Sequence, residues 1–368
     1  MSIAVGIIGP GKSGKSTIFN ALTGGIAEGR GLSVDGHTAH IGAARVPEPR
    51  LKTLADMLQP KKVVPAEVRY IDVGASVKSL VTGPGIGGEL LNHLSNADAL
   101  INVVRAFTDD SVPHPEGSLD VERDIANMNL ELVFSDLAII ERRLERIETS
   151  LKGAKPLERQ AALHEQELLL KLKAELEKDI PIRALSLAAA DVRLLAGFQF
   201  LTAKPLLTVV NIGEEQLPRV SDLETELSSR HKQEKSRIIA LCGKLEMELG
   251  QLDEPAAAEF RADFGLTESG LDRVIKQSYE LLGLVSFFST AHDEVRAWSI
   301  PHGTSAVKAA GKIHSDMERG FIRAEVISYH DLMKCGSLAE GRKHGLLRLE
   351  GKEYIVQDGD VITFLFNV

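Results

Sequence analysis

The stretch Gly9-Pro-Gly-Lys-Ser-Gly-Lys-Ser16 follows the apolar run Ile3–Ile8 and opens a helical pattern, Lys15–Leu22. It has the G-x-x-x-x-G-K-[ST] pattern of a phosphate-binding loop, in the strand–turn–helix context that this chemistry requires. Gly9 and Gly14 permit backbone angles that a side chain would penalise, so successive N–H groups can turn inward around phosphate oxygens. The positive N-terminal end of the helix adds to this attraction. The stretch therefore predicts a nucleotide-binding site.

Two side chains of the loop have predicted roles on the phosphates and the metal. We expect the Lys15 ammonium to lie against the β- and γ-phosphates and the Ser16 hydroxyl to ligate Mg²⁺. Asp72, which ends the strand-like Val68-Arg-Tyr-Ile-Asp72, is the candidate that holds Mg²⁺ through water. A strand-terminal turn acid is its plainer interpretation. The residues of the loop predicted to contact nucleotide are Gly9, Gly11, Lys12, Ser13, Gly14, Lys15, Ser16 and Thr17.

The composition is that of a folded soluble protein and excludes several classes. The 368 residues are 43% hydrophobic and 26% charged, enough for two or three domains with a core each. No apolar run approaches the ~20 residues that span a bilayer, and the N-terminus enters a strand at once, leaving no signal peptide. Cys242 and Cys335 are too few for a disulfide framework or a zinc site. We expect a cytoplasmic protein without membrane contact, and its net charge of −9 argues against nonspecific coating of nucleic acid.

Strand-like runs alternate with helical patterns, which is typical of a parallel, doubly wound α/β sheet with helices on both faces. A heptad-like apolar stripe from Leu130 to Leu151 interrupts the alternation, breaks at Gly153-Ala-Lys-Pro156 and resumes over 157–178. This predicts an antiparallel helical hairpin inserted into the nucleotide domain, either an ordinary packing pair or a partner-binding arm. The strand-like runs are Ile3–Ile8, Glu67–Val73, Ala99–Val104, Leu206–Asn211 and Arg237–Leu241.

From about Leu284 the pattern becomes that of a small mixed sheet holding one helix, as in a ubiquitin-like β-grasp. Strand-like Val295–Ile300, a helical stretch Ser305–Arg319 and the extended Phe321–Ser328 precede the tail. In the tail, Asp358-Gly359 lies between two alternating runs and predicts a hairpin.

The C-terminal module is basic in an acidic chain. Between Arg296 and Lys352, ten Lys and Arg face six Asp and Glu. Such a patch is usually a solvated face and less often an RNA or ribosome contact. The predicted domains are 1–120 with 182–283 for nucleotide binding, 121–181 for the helical hairpin, and 284–368 for the C-terminal module.

The loop after the strand Leu206–Val210 is expected to select the base. A guanine-specific site usually carries Asn-Lys-x-Asp, whereas this chain has Asn211-Ile-Gly-Glu214. Glu214 is a methylene longer than Asp and no Lys covers the base, so adenine becomes at least as plausible as guanine. The Asn211 amide can still face a purine N7 or amino group. Cys242 and Gly243 follow the sixth strand, where the base-side loop should be, although a buried inert thiol is the simpler interpretation of Cys242.

Several motifs together resemble the YchF / Obg-like ATPase family of translation-factor-related P-loop NTPases, over nearly the whole chain. The resemblance implies a nucleotide domain, an inserted helical domain and a C-terminal TGS domain. It also implies ATP hydrolysis, often with GTP as a poorer substrate, and association with ribosomes. Besides the phosphate loop and Asn211-x-x-Glu214, the motifs are Pro47-Glu-Pro-Arg-Leu51, Val104-Arg-Ala-Phe107, His114, Glu294-Val-Arg-Ala-Trp-Ser-Ile-Pro301, Ala309-Ala-Gly-Lys-Ile-His314, Arg319-Gly-Phe-Ile-Arg323 and Tyr354-Ile-Val-Gln-Asp-Gly-Asp360.

The resemblance implies a catalytic role for His114. Family members lack the glutamine that orients the attacking water in other GTPases, and a histidine in a mobile loop takes its place. His114 lies within Asp109-Asp-Ser-Val-Pro-His-Pro-Glu-Gly117, a loop that we expect proline and glycine to expose. A neutral imidazole could orient, or accept a proton from, a water in line with the γ-phosphate. A loop histidine without a catalytic role is the alternative.

Three motifs depart from the family pattern. Lys12-Ser13 replaces an Asn-Val whose Asn helps to hold a potassium ion, and we hypothesise that the Lys12 ammonium takes the place of that ion; a solvent-facing Lys is the alternative. The first-switch hydroxyl, Thr38, is displaced by about two residues, and Ser76 replaces an apolar residue. The order Asp72-Val-Gly-Ala75 brings the glycine one residue early.

Two functions are consistent with these features. The first is a Mg²⁺-dependent ATPase, or dual ATP/GTP hydrolase, that regulates translation on the ribosome. Its catalysis would rest on positioning and charge stabilisation by backbone amides, Lys15 and Mg²⁺. The alternative is a nonhydrolysing nucleotide sensor that binds ribosome or RNA through its helical and TGS domains. A metabolic kinase is disfavoured because no acceptor pocket is visible.

Overall fold

A computed structural model describes residues 3–24, 32–34, 37–73, 87–152, 155–291 and 293–367. The chain forms two compact units. The larger unit comprises the described residues of Ala4–Ala43 and Arg69–Gln277, and the smaller unit those of Met1–Ile3, Ala44–Val68 and Ser278–Val368. The domain boundaries expected from sequence stay a prediction beside these units.

The secondary structure elements are numbered in chain order. None of the described helices is long and apolar enough to cross a membrane. The strands are β1 Ile3–Ile8, β2 Leu32–Val34, β3 His37–Arg45, β4 Lys62–Val64, β5 Glu67–Val73, β6 Ala99–Arg105, β7 Leu206–Asn211, β8 Ser236–Leu241, β9 Leu284–Ala291, β10 Glu294–Pro301, β11 Phe321–Ser328, β12 Arg348–Glu350 and β13 Asp360–Phe366. The α-helices are α1 Lys15–Leu22, α2 Pro49–Leu58, α3 Gly87–Asn96, α4 Val121–Leu151, α5 Pro156–Leu176, α6 Ala189–Leu195, α7 Val220–Arg230, α8 Gly243–Leu249, α9 Glu254–Asp263, α10 Gly270–Leu281, α11 Ala306–Ile313, α12 Ser315–Arg319, α13 Tyr329–Cys335 and α14 Leu338–Lys343.

A seven-stranded sheet in the order β2-β3-β5-β1-β6-β7-β8 forms the centre of the larger unit. The pairs β1/β6, β6/β7 and β7/β8 are parallel. Every residue of β6 and β7 is buried, as expected for central parallel strands that helices cover on both faces. The predicted doubly wound P-loop sheet is confirmed, and so are the predicted bounds of β1, β5 and β7.

Helices α4 and α5 form the predicted antiparallel hairpin, inserted between β6 and β7. Arg143 pairs with Glu165 (Nε–Oε1 2.6 Å) and Lys173 with Glu141 (Nζ–Oε1 2.8 Å), so later residues of α5 meet earlier residues of α4. Buried residues of both helices, with others that follow them, form one hydrophobic cluster: Val133, Ile140, Ile147, Leu168, Leu169, Leu172, Leu176, Ile182, Leu195 and Phe200.

Asp136 fixes the hairpin to the chain that enters β7. Its carboxylate lies on the buried side of α4 and accepts hydrogen bonds from the N–H groups of Leu201 (2.9 Å) and Thr202 (2.8 Å) and from the Thr202 hydroxyl (2.6 Å). Burial raises the pKa of Asp136 to about 6, while these hydrogen bonds act in the opposite direction. The hairpin base is therefore held by polar contacts as well as by apolar packing.

The smaller unit contains a six-stranded sheet in the order β12-β11-β13-β9-β10-β4. β13 lies parallel to β9, whereas β9/β10, β11/β13 and β11/β12 are antiparallel. With α11 packed on it, this is the predicted β-grasp. β4 extends the sheet by pairing in parallel with β10, and it comes from the segment 44–68, which sequence pattern placed with the nucleotide domain. The sheet core is Phe287, Ile300, Ala306, Ala309, Ala310, Phe321, Ala324, Val326, Val356, Ile362 and Phe364.

The prediction of a hairpin at Asp358-Gly359 is wrong. Residues 353–357 make only one isolated bridge, between Ser305 and Ile355, and β13 pairs with β11 and β9 instead. The cause is tertiary. Asp358 accepts a hydrogen bond from Arg50 (Nη1–Oδ2 2.7 Å) and another from the Ser286 N–H (2.9 Å), which determines the path of the turn. Gly359 has a φ of +84°, and a Cβ there would lie 2.9 Å from the Arg50 guanidinium.

The helix predicted over Ser305–Arg319 is two helices, α11 and α12. His314 separates them because its backbone is extended, with φ −157° and ψ 142°. Its side chain then accepts a hydrogen bond from the Asp316 N–H (3.2 Å) and caps α12.

Asp136→Asn is expected to change the pH dependence of stability. The folded-state pKa of about 6 lies above the ordinary ~3.9 of Asp, so between these values the folded protein binds a proton that the unfolded chain has lost. The contribution of this group to the free energy of unfolding therefore falls as pH rises from about 4 to about 6 and is constant above. Urea titrations should show the difference between wild type and variant shrinking by up to about 3 kcal/mol over this range. The exposed Asp110→Asn is the control, and a pH-independent difference would contradict the expectation.

Candidate nucleotide-binding site

The phosphate loop has the backbone geometry that its glycines permit. Gly9 has a φ of 146°, Lys12 of 61° and Gly14 of 92°. A Cβ at Gly9 would lie 2.3 Å from the Val103 carbonyl oxygen, and one at Gly14 would lie 2.2 Å from Asn211 Nδ2. Gly14 is the N-cap of α1, and no side chain of the described residues caps that helix. The N–H groups of its first turn are therefore available to an anion.

Lys15 is held over the loop by two neutral acceptors. Its ammonium donates to the carbonyl oxygens of Gly9 (2.9 Å) and Pro10 (2.7 Å). Burial lowers the pKa of Lys15, and the charges of Asp72 and Glu131 partly oppose this effect. Because hydrogen bonds between charged partners are the stronger ones, a phosphate oxygen would compete favourably for this ammonium.

Ser16 and Asp72 form the candidate metal site. The Ser16 hydroxyl donates to Asp72 Oδ2 (2.7 Å). The other oxygen, Oδ1, is buried and has no hydrogen-bond partner within the described ranges, so it has an unused acceptor. A hydroxyl beside such a carboxylate fits Mg²⁺, which keeps several waters and takes few protein ligands. The described residues contain no group of three or more His, Cys, Asp or Glu side chains that could hold a metal.

Asn211 connects the phosphate loop to the base-side loop. Its Nδ2 donates to the Ser13 carbonyl oxygen (3.0 Å), and its Oδ1 accepts from the Gly243 N–H (2.9 Å). Asn211 is only 4% exposed, so water does not compete with these bonds. The amide thus holds together loops that follow β1, β7 and β8.

A cavity of about 760 Å³ lies beside the phosphate loop, on the side of Asn211. This volume is in the range of small-ligand sites. Glu214 borders it but forms an ion pair with Lys244 (3.2 Å), and Cys242 is buried, which raises the pKa of its thiol. Six of the predicted site residues line the cavity: Lys12, Gly14, Thr17, Asn211, Glu214 and Cys242.

The loop 109–117 is largely exposed, as expected, but the His114 side chain turns inward and is only 5% exposed. Its Nδ1 accepts a hydrogen bond from the Glu116 N–H (3.2 Å), and its Nε2 lies 3.0 Å from Asp124 Oδ2. Nδ1 is therefore the acceptor nitrogen, and Nε2 carries the proton and donates to Asp124. Arg123 binds the other oxygen of Asp124 through Nε and Nη2, both at 3.0 Å. Nearby, Pro115 lies beside Gly11 of the phosphate loop, with 3.8 Å between its Cγ and a Cβ built on Gly11.

Comparison with known proteins identifies the family. Residues 284–367 match the family model YchF-GTPase_C, described as a protein of unknown function (DUF933). The ribosome-binding ATPase YchF of Bacillus subtilis is 40% identical over the full length of both chains, and that of Escherichia coli O157:H7 is 36% identical, again over the full length of both. The solved structure of the Schizosaccharomyces pombe YchF GTPase has a TM-score of 0.82 at 30% identity, covering 99% of this chain and 98% of that one. The chain belongs to the YchF family.

YchF membership confirms the resemblance found in the sequence and identifies the β-grasp as the TGS domain of the family. Some of the departures from the YchF pattern cannot be followed into the structure. Gly74, Ala75 and Ser76 lie outside the described residues, as does the side chain of Thr38.

Sequence reasoning missed three residues that shape this YchF site. Arg105 lies over the Phe107 ring (4.4 Å to the centroid) and donates to the carbonyl oxygens of Phe107, Asp109 and Val112 (3.1, 3.3 and 2.7 Å), so it organises the loop before His114. Asp124 binds His114, and Glu131 of α4 acts on the charge of Lys15. Only Arg105 had a sequence signal, the motif Val104-Arg-Ala-Phe107.

Asn211→Asp is expected to weaken nucleotide binding. The isosteric carboxylate can still accept from Gly243, but it places an oxygen instead of an N–H group opposite the Ser13 carbonyl, 3.0 Å away. One hydrogen bond becomes a repulsion, and we expect the Kd for ATP to rise about tenfold or more, corresponding to ~1.4 kcal/mol. Calorimetric titration measures this, with the exposed Asn20→Asp on α1 as the control. Equal affinities of Asn211→Asp and wild type would show that the clamp is unimportant for binding.

Proposed function

We propose that this chain is a Mg²⁺-dependent ATPase, with GTP as a poorer substrate, that acts on the ribosome in the cytoplasm. Full-length similarity to proteins named ribosome-binding ATPase supports the proposal. The observation that carries it is the phosphate loop, in which Lys15 lies on two carbonyl oxygens and Ser16 on Asp72. These groups have the arrangement needed to bind a triphosphate and its metal.

The proposed roles follow from these positions. Backbone N–H groups of the loop and the Lys15 ammonium bind the phosphate oxygens. Ser16 and Asp72 would hold Mg²⁺, which neutralises phosphate charge when bound. Lys12 is exposed at the cavity edge, and its role in place of a potassium ion stays a hypothesis. The residues proposed to contact the nucleotide are Gly9, Gly11, Lys12, Ser13, Gly14, Lys15, Ser16, Thr17, Asn211, Glu214, Cys242 and Gly243.

The base-side contacts favour adenine. Guanine recognition needs a carboxylate that accepts from the ring N1–H and the exocyclic amine. Glu214 is instead paired with Lys244, and both polar atoms of the Asn211 amide already bond within the protein. A guanine would have to share this carboxylate with Lys244, whereas adenine makes no such demand.

His114 can act on the attacking water only after a rearrangement. In this structure one ring nitrogen accepts from Glu116 and the other donates to Asp124, so neither is free to accept a proton from water. Releasing Nδ1 from the Glu116 N–H would free an acceptor but leave the ring fixed on Asp124, and we propose instead that the loop 107–117 moves and the contact with Asp124 breaks. Asp124 would then oppose hydrolysis by holding His114 away from the phosphates.

Single-turnover hydrolysis of ATP tests the proposed activity. We expect Lys15→Ala to lose both binding and hydrolysis. His114→Ala should lose hydrolysis by about 10²-fold or more while its Kd for ATP stays unchanged. Asp124→Asn should accelerate hydrolysis, because it weakens the acceptor that holds His114.

Arg123→Gln is the matched control for Asp124→Asn, since it removes the Arg123–Asp124 pair but keeps the acceptor of His114. Hydrolysis by wild type no faster than by Lys15→Ala, with ATP binding intact, would support the nonhydrolysing sensor instead. GTP hydrolysed faster than ATP would contradict the proposed base preference.

The proposed ribosome contact depends on unpaired basic side chains of the TGS domain. Many of its cations are neutralised locally, for example Lys308 by Glu318 (2.6 Å) and Arg342 by Glu325 (2.7 Å). Arg323 and Lys352 are exposed, and neither has a carboxylate within 4 Å among the residues described. Such free cations can neutralise RNA phosphates and release their counterions.

Arg323→Glu/Lys352→Glu is expected to reduce cosedimentation with ribosomes, most clearly at low salt. The release of two fewer counterions should lower the slope of log affinity against log salt by about 2. Lys232→Glu/Lys235→Glu, which changes the net charge equally at exposed positions of the larger unit, is the control. Equal loss of binding in both double variants would exclude the TGS surface as the specific contact.

A further inference from the structure

A second cavity lies in the larger unit and shares no lining residue with the nucleotide cavity. Its volume is about 230 Å³, and it is enclosed by α4, the segment 179–183, the turn Leu201–Ala203 and the loop after α7. Liquid water occupies ~30 Å³ per molecule, so the space holds roughly seven or eight non-hydrogen atoms. Leu130, Leu132, Val133 and Pro181 form its apolar wall.

Arg183 supplies a buried positive charge to this cavity. It is 4% exposed, and burial lowers its pKa to about 10, so the guanidinium stays charged at neutral pH. Its Nη1 donates to the Thr202 carbonyl oxygen at 3.3 Å, and its Nε has no partner within the described ranges. A buried guanidinium whose hydrogen bonds are incomplete is destabilising, so an anion that completes them would stabilise the site.

Among the described residues, no carboxylate directly contacts this guanidinium. Asp136 is near enough to influence Arg183 electrostatically, but its oxygens accept from Leu201 and Thr202. In the part of the chain that the structure describes, no carboxylate lies within 4 Å of the Arg183 nitrogens. Arg183 is therefore the cation among the described residues lining this cavity that lacks a direct carboxylate partner.

A second unpaired polar atom, Asn129 Oδ1, would fix the orientation of a ligand bound to Arg183. Asn129 Oδ1 is buried and lacks a donor among the described residues, and Asn129 lines the same cavity. A ligand that satisfies both groups carries an acceptor anion for Arg183 and a hydroxyl or amine donor for Asn129. The exposed carboxylate of Asp179 at the edge opposes a second negative charge on the ligand.

We propose that this cavity is a binding site for a small monocarboxylate with an apolar body and a hydroxyl or amine donor. The carboxylate binds Arg183, and the carbon chain packs on Leu130, Leu132 and Val133. The donor bonds to Asn129 Oδ1, which is buried here and has to turn toward the cavity to receive it. Ordered water is the competing occupant, and the experiment distinguishes the two.

The probe is 3-hydroxybutyrate, which has about the predicted size and both functional groups. Calorimetric titration of the full chain should detect saturable binding, and butyramide, which lacks the charge and the hydroxyl, should bind at least about tenfold more weakly. Inorganic phosphate should not compete, because its second charge meets Asp179. Arg183→Met should abolish binding.

Ala126→Trp keeps the test decisive if Arg183→Met does not fold. Ala126 is exposed at the edge of the cavity, so a Trp there closes the site without disturbing the core and should weaken binding about tenfold or more. Ala161→Trp on the exposed face of α5 is the matched control and should bind like wild type.

Three results would overturn the proposal. The first is that 3-hydroxybutyrate shows no binding up to the highest concentration that can be titrated. The second is that butyramide binds as tightly as 3-hydroxybutyrate, and the third is that Ala126→Trp binds 3-hydroxybutyrate as tightly as wild type does. The first means that water fills the cavity, the second that charge is irrelevant, and the third that the ligand binds elsewhere.

Discussion

The buried amide of Asn211 is the contact on which the nucleotide site depends. The phosphate loop follows β1, and the base-side loop follows β8. The Asn211 amide, at the end of β7, bonds to both loops: it donates to the Ser13 carbonyl and accepts from the Gly243 N–H. In a buried setting such bonds are strengthened because water is excluded. The same side chain sets a steric limit on the loop, since any Cβ at Gly14 would lie 2.2 Å from Asn211 Nδ2. Thus one amide sets the spacing of the two loops and also requires that position 14 of the phosphate-loop motif be glycine.

The segment Ala44–Val68, which includes the end of β3 and the start of β5, belongs to the smaller unit. After β3 the chain contributes α2 and β4 to the smaller unit, which contains the TGS domain. It then continues along β5, whose residues belong to the smaller unit up to Val68 and to the larger unit from Arg69. Asp72 lies near the end of β5. The contact between Arg50 and Asp358 holds this segment. In this chain one ion pair therefore joins the motif around Arg50 to the motif around Asp358, which lie 308 residues apart in the sequence.

What the sequence predicted well depends on local signals. The strands Ile3–Ile8 and Leu206–Asn211 are apolar runs between turn residues. Because such strands are buried on both faces, their continuous apolar sequence is sufficient to predict them. The failures have a common cause in distant partners. The path of the turn at Asp358-Gly359 is determined by the contact with Arg50, and the orientation of the His114 side chain by a buried Asp124 on a neighbouring helix. Proline and glycine around His114 describe the backbone of a loop and carry no information about the acceptor that its imidazole reaches.

The polar groups proposed for catalysis share one property: each is bonded to a protein partner. Lys15 lies on two carbonyl oxygens, Ser16 on Asp72 and His114 on Asp124. Nucleotide binding is therefore an exchange of hydrogen bonds. The present bonds of the Lys15 ammonium are to neutral carbonyl oxygens, whereas a phosphate oxygen would add the attraction between opposite charges, so exchange favours phosphate at Lys15. At His114 the present acceptor is already a carboxylate, and the same comparison favours the contact in place. The phosphate loop is thus arranged to bind readily, whereas the proposed catalytic histidine would be released only at a cost, which would separate binding from hydrolysis.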